Sequence, residues 1–124
     1  MMYVLERVKR SVNLCILRIS EDILNHQEII ITDMNAASEY VKFLSISEIN
    51  QLNFNLIFDR IWDSPDMIDK FRRKSIKCAE VLIKDRIHQD YIIGAYVKNK
   101  NSKTKLENNG FRKEIIINKD LFFR

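Results

Sequence analysis

Glycine and proline are nearly absent: the 124 residues hold two Gly and one Pro. A phosphate-cradling loop of the Walker or dinucleotide-binding kind needs clustered glycines, so that backbone N–H groups can approach the anion. Such a site is excluded here. Cysteine is as scarce. Cys15 and Cys78 stand alone in apolar runs, with no CxxC spacing and no His cluster beside them, so neither a metal site nor a disulfide framework is expected. Both read as small buried hydrophobes in a reducing compartment, which fits a cytoplasmic location. No run reaches the ~20 apolar residues of a membrane helix. Glu6, Arg7, Lys9 and Arg10 crowd the start of the chain, as no secretory signal does.

What is present is the composition of a folded domain. Hydrophobic residues make up 46% and charged residues 31%, which argues against disorder. A chain of this length forms one domain and buries about two-thirds of its unfolded surface. The net charge of +4 permits an anionic partner without demanding one. Helical and strand patterns intermingle with no regular βαβ rhythm, so the expected class is α+β, a mixed sheet with flanking helices.

Along the chain, Tyr3–Arg10 has the apolar spacing of a short helix, and 12–19 alternates apolar residues on both faces as a central strand does. Ser20 reads as the N-cap of a brief helix over 21–24. Residues 28–32 are β-branched and read as a strand. Asp33 and Asn35 then open a loop, 33–38, in which both side chains suit turn hydrogen bonds. Ser47 reads as the cap of the next helix, and Phe54, Ile57, Phe58, Ile61 and Trp62 form a helix-spaced stripe expected to be core. Ser64, Pro65 and Asp66 are placed as N-cap, first helical residue and first-turn acid of a helix ending near Arg73. Residues 91–97 read as a strand in which Gly94 marks a bulge or close packing. The polar stretch 98–109 is a solvated helix or loop, and 111–117 a last strand.

The stretch 74–83 is the one that needs explaining. Period-two alternation places Ile76, Cys78, Glu80 and Leu82 on one face. A carboxylate on such a face either has a partner or is used, because burying it alone is costly. The other placement is a bulge or sheet edge where Glu80 faces water. Just upstream, Lys70, Arg72, Arg73, Lys74 and Lys77 form the densest basic cluster in the chain. It is either a solvated helix face or an anion-gripping one. His26 and His88 sit in polar surroundings with no catalytic pattern.

The segment Lys77-Cys78-Ala79-Glu80-Val81-Leu82-Ile83, preceded by Phe71-Arg72-Arg73-Lys74, resembles the catalytic-glutamate strand of the DarT family, DNA-targeting ADP-ribosyltransferase toxins. Asp33-Met34-Asn35-Ala36-Ala37-Ser38 is similar to that family's Asp-x-Asn-Ala-Ala-Ser block. Trp62 with Pro65, and then 91–97, follow in the family's order. The resemblance covers nearly the whole chain and implies part of the split two-sheet fold of ADP-ribosyltransferases. It implies that Glu80 is the catalytic glutamate and NAD the co-substrate, with no metal. It further implies that a thymine base in single-stranded DNA is the acceptor, and that a macrodomain-type antitoxin is the partner in a toxin–antitoxin pair. DNA contacts are expected from Asn35, Tyr40, Arg72, Arg73, Lys74 and Lys77. The family's cofactor-binding His and Arg belong to a half preceding an Asn-Pro-Met-Met-Tyr-like segment, and this chain opens at Met1-Met2-Tyr3. It is therefore expected to be the C-terminal part of such a protein, inactive in this form. The alternative is a non-catalytic remnant or a small nucleic-acid- or antitoxin-binding protein.

Overall fold

The structure, a computed structural model, describes residues 14–25 and 28–122. The helix expected over Tyr3–Arg10, the start of the first strand, His26 and Phe123 lie outside these. The class is α+β, and the chain divides into two compact units, one of 1–23 with 87–124 and the other of 24–86.

In the first unit, β1 (Cys15–Ile19) pairs antiparallel with β5 (Ile92–Val97), and β6 (Glu114–Ile117) pairs parallel with β5. The parallel step needs a crossover, supplied by helix α3 (Lys100–Asn108). The polar stretch after Val97 is thus an ordered helix. Asn99 caps it by accepting from the Ser102 N–H at 2.9 Å. Gly110, at φ 90°, ends it in the left-handed conformation that glycine alone adopts freely. Ala95 and Val97 are fully buried, with Phe122 beside them in the core of the unit. Contrary to the central-strand expectation, β1 is an edge strand among the described residues. Its apolar residues are only partly covered: Leu17 and Cys15 are exposed. Cys78 is half-buried, so neither cysteine is the buried hydrophobe expected. Gly94 meets both of its readings. The β1–β5 register slips beside its partner Arg18, and a Cβ at 94 would come within 2.6 Å of the Glu114 carbonyl oxygen.

In the second unit, β2 (Ile29–Thr32) lies between β3 (Phe43–Leu44) and β4 (Val81–Ile83), antiparallel to both. Ile29, Ile31, Thr32 and Leu44 are buried, and Ile76 joins them from a helix. Each such aliphatic side chain contributes about 1.5–3 kcal/mol through burial. A 3₁₀ segment, Ile46–Gln51, follows β3. Its cap is Ser45, two residues ahead of the expected Ser47, and the Ser45 N–H donates to the Glu48 carboxylate at 2.9 Å. That bond holds the Glu48 carboxyl below its ordinary range. Helix α1 is one turn, Phe54–Ile57. The stripe expected to be core is largely outside it: Phe54 and Phe58 stack on each other at 6.2 Å, and Phe58 remains 76% exposed.

Helix α2 (Met67–Lys77) overturns two sequence expectations. Its N-cap is Asp66, accepting from the Asp69 N–H at 2.9 Å; Ser64 instead accepts from the Asp66 N–H at 3.3 Å, and Pro65 lies outside the helix. The helix also runs four residues past Arg73. Residues 74–77 are therefore helical, and the alternation over 74–83 is accidental. Ile76 and Lys77, at the end of the helix, are both buried.

Candidate functional site

The ending of α2 places the chain beside β2. Cys78 caps the helix, and Ala79 donates back to the Ile76 carbonyl at 3.0 Å. Glu80 is then seized by Thr32 at the end of β2. The Thr32 N–H donates to the Glu80 carbonyl at 2.9 Å, and the Glu80 N–H donates to Thr32 Oγ1 at 2.9 Å. Thr32 is fully buried, so its hydroxyl, in a place with little access to water, is committed to the Glu80 backbone. Sequence reasoning passed over Thr32 as one more β-branched strand residue. Its signal was position: a hydroxyl at the last strand residue, next to the Asp33-x-Asn35 turn.

Glu80 itself is exposed. It does not share a strand face with Ile76, Cys78 and Leu82, as the alternation predicted, because Ile76 is helical and β4 starts at Val81. The carboxylate is nonetheless anchored: Oε2 accepts the Ala36 N–H at 3.2 Å. That joins Glu80 to the middle of the 33–38 loop, leaving its remaining acceptor positions turned to solvent.

The loop is built by its own side chains. Asn35 Oδ1 accepts from the Ala37 N–H at 2.8 Å, the turn bond expected of it, whereas Asp33 Oδ1 accepts from the Lys42 N–H at 2.8 Å, nine positions along the chain, and so ties the start of the loop to the approach to β3 where a local turn bond was expected. The Asn35 N–H also donates to the Ser75 carbonyl at 2.9 Å, near the end of α2. Loop, helix end and Glu80 therefore form one hydrogen-bonded corner. Tyr40, further along the loop, is 80% exposed.

The basic cluster divides. Arg73 Nε donates to Asp69 at 2.7 Å, and its Nη1 lies 3.4 Å from Asp59. Lys77 is buried, with Nζ donating to the Asp59 carbonyl and standing 4.8 Å from the centre of the Trp62 ring. Burial pushes the Lys77 ammonium below its ordinary value, and the neighbouring Arg73 adds to this while Asp59 opposes it. Lys70 pairs with Asp63 at 2.6 Å. Arg73 and Lys77 are thus braces between α2 and the 59–62 segment, where anion contacts were expected of them. Arg72 is exposed, and makes no hydrogen bond or ion pair among the described residues. Lys74 is half-buried on the same helix.

Chemically, the corner offers an accessible, backbone-anchored carboxylate, a loop with an exposed tyrosine, and a helix whose end is fixed to that loop. Among the described residues no group of His, Cys, Asp and Glu could hold a metal ion, and none of the helices is long and apolar enough to cross a membrane.

No curated protein matches the chain in sequence. Among solved structures, the chain is similar to Thermosipho africanus DarTG in complex with ADP-ribose, with TM-score 0.73 and 24% identity over 88% of this chain and 29% of that one. It is also similar to Thermus sp. 2.9 DarT in complex with NAD+, with TM-score 0.65 and 18% identity over 77% of this chain and 49% of that one. The same Thermus protein in complex with ADP-ribosylated ssDNA gives TM-score 0.65 and 18% identity, over 77% of this chain and 46% of that one. At these identities the likeness is one of fold, and the chain spans about half or less of each of these proteins. The family model described as ssDNA thymidine ADP-ribosyltransferase, DarT, matches residues 1–123, and on a match of that extent the chain belongs to the DarT family.

Proposed function

We propose that these residues form the acceptor-side part of an enzyme that transfers ADP-ribose from NAD to a thymine base of single-stranded DNA, with Glu80 as its catalytic carboxylate. The observation that carries this is the bond from the Ala36 N–H to Glu80 Oε2, which fixes the carboxylate against the family-like 33–38 loop. Solved DarT structures hold NAD+ and ADP-ribosylated ssDNA, and those ligands supply the substrate classes.

The chemistry suits an anchored, accessible carboxylate. Breaking the bond between ribose and nicotinamide builds positive charge on the sugar, and a carboxylate beside it stabilises that charge and accepts a ribose hydroxyl. Nicotinamide leaves as a neutral group, so no second acid is required. The same carboxylate can take the proton from the acceptor nitrogen of the base. What the described residues do not supply is a glycine-rich cradle for the pyrophosphate, and near Glu80 on α2 Arg73 is committed to Asp69 and Asp59 and Lys77 to the Asp59 carbonyl. The match covers 49% and 46% of the two DarT chains, and the remaining cofactor contacts are assigned to the part of the fold these residues do not span. The proposal includes a toxin role opposed by a macrodomain-type antitoxin, supported by the likeness to Thermosipho africanus DarTG.

The test uses the longest protein that encodes these residues in frame, incubated with NAD and a thymine-containing oligonucleotide. The oligonucleotide should gain ADP-ribose, and Glu80→Gln should lower the rate by about 10²–10³ or more with the thermal midpoint nearly unchanged. The 124 residues alone should leave the oligonucleotide unlabelled. Undiminished transfer by Glu80→Gln would remove Glu80 from the mechanism.

A further inference from the structure

Glu80 is held at two points by different parts of its unit. Its backbone is fixed by Thr32, and its carboxylate by the Ala36 N–H at 3.2 Å. The second hold is only as good as the loop that carries Ala36, and that loop is bonded largely to itself. The Asn35 carbonyl accepts the Ser38 N–H at 2.9 Å, and the Ser38 carbonyl the Val41 N–H at 3.4 Å. Ser38 Oγ accepts the Tyr40 N–H at 3.3 Å. Two bonds lead out of the loop, from the Asn35 N–H to the Ser75 carbonyl and from the Ala36 N–H to Glu80.

The neck of the loop is Asp33. Just beyond the Thr32–Phe43 pair that ends the β2–β3 ladder, the Asp33 N–H donates to the Lys42 carbonyl at 3.4 Å, and Asp33 Oδ1 accepts the Lys42 N–H at 2.8 Å. The side chain therefore makes the shorter of the two bonds that close the loop. A carboxylate acceptor also makes a hydrogen bond about twice as strong as a neutral one. Because the bond spans nine positions, it serves no turn of its own and acts on the loop as a unit. The contact that depends on it has little to spare. At 3.2 Å, a displacement of Ala36 by about 0.4 Å takes donor and acceptor to a separation at which no hydrogen bond remains.

We propose that Asp33 is a positioning residue for the transfer reaction: by closing the 33–42 loop it holds the Ala36 N–H against Glu80 and so aims the carboxylate. This rests on the function proposed above and extends it to a residue that acts on the reaction through Ala36 and Glu80. The loop is then a preorganised part of the reaction centre, tied at its neck to the sheet and at its crown to α2 and Glu80. A neck that served stability alone would be felt in the thermal midpoint. A neck that aims a carboxylate is felt in the chemical step, where small misplacements are costly.

The experiment has two arms. In the first, amide hydrogen exchange is followed in the 124-residue protein, without NAD or DNA and well below its melting midpoint. Asp33→Ala should speed exchange at Ala36 and Lys42 about tenfold, the factor that one lost hydrogen bond corresponds to, while Ile31 in β2 keeps its original rate. Asp33→Asn, which retains an oxygen acceptor, should stay near the original rates throughout. In the second arm, transfer by the longer protein is measured against NAD and oligonucleotide concentration. Asp33→Ala should lower kcat about 10–10²-fold with KM for NAD nearly unchanged, and Asp33→Asn should recover most of the loss. Should Asp33→Ala fail to fold, Asp33→Leu, similar in shape and without an acceptor, gives the same readings. Unchanged exchange at Ala36 overturns the proposal. So does a KM for the oligonucleotide that rises while kcat holds, because Asp33 would then act on the strand. Slowed transfer in Glu80→Gln beside undiminished transfer in Asp33→Ala takes down this proposal alone, whereas undiminished transfer in Glu80→Gln takes down the transferase reading and this proposal with it.

Discussion

At the scale of single residues, Thr32 and Glu80 show how a functional position is held by neighbours that carry no chemistry. Thr32 is fully buried and bonds the Glu80 backbone through both its N–H and its hydroxyl. Replacing it with valine keeps the shape and removes the acceptor, leaving the Glu80 N–H unpaired beside a closed core. Thr32→Val should destabilise the protein by about 1–3 kcal/mol, measured by urea denaturation. If Glu80 is positioned through this contact, kcat for transfer by the longer protein should fall further than the loss of folded protein explains, and Thr32→Ser should restore it. The two glycines are residue-scale features as well. Gly110 supplies a left-handed cap, and Gly94 lets β6 approach β5 where a side chain would meet a carbonyl oxygen. A sequence with only two glycines uses each where another residue would be strained.

At the scale of elements, α2 is held to its surroundings by acids at its start. Asp69 is lowered below its ordinary 3.8, first by the hydrogen bond from Arg73. Asp63 is lowered below the same value, first by the hydrogen bond from Lys70. A carboxyl whose pKa is lower in the folded state than in the unfolded one contributes stability above the unfolded value, about pH 4, and loses it as pH falls through the folded value. The thermal midpoint should therefore fall between about pH 5 and about pH 2, and less steeply in an Asp63→Asn, Asp69→Asn double variant. Asp63 is exposed and Asp69 only half-buried, so screening keeps the difference small, and it should shrink further in high salt. A double variant titrating like the original protein would show that these pairs do not hold the helix. The same helix shows where local patterns mislead. Four residues, Lys74 to Lys77, fit both a period-two and a helical reading, and only their contacts with the 33–38 loop and the 59–62 segment decide between them.

At the scale of the whole molecule, every residue of the candidate site lies between 24 and 86, the second of the two units. The sheet of β1, β5 and β6 belongs to the first. Gly94→Ala should press a methyl group into the Glu114 carbonyl and destabilise that sheet by about 1–3 kcal/mol, seen as faster amide exchange in β5 and β6. Oligonucleotide affinity measured well below the melting midpoint should stay at its original value. What the sequence determined by itself were the features fixed over a few residues: the β-branched strand ending at Thr32, the Asx turn of Asn35, the strand around Gly94, and the blocks that resemble DarT. Side-chain-to-backbone bonds and β-branching act locally, so they are legible locally. Only the tertiary structure decided which charges of 70–77 face outward, that Phe54 and Phe58 are exposed, and that Glu80 is fastened to Ala36 across 44 positions of chain. Those outcomes depend on which face of α2 meets the rest of its unit, and a one-dimensional pattern of charge and hydropathy does not contain that choice.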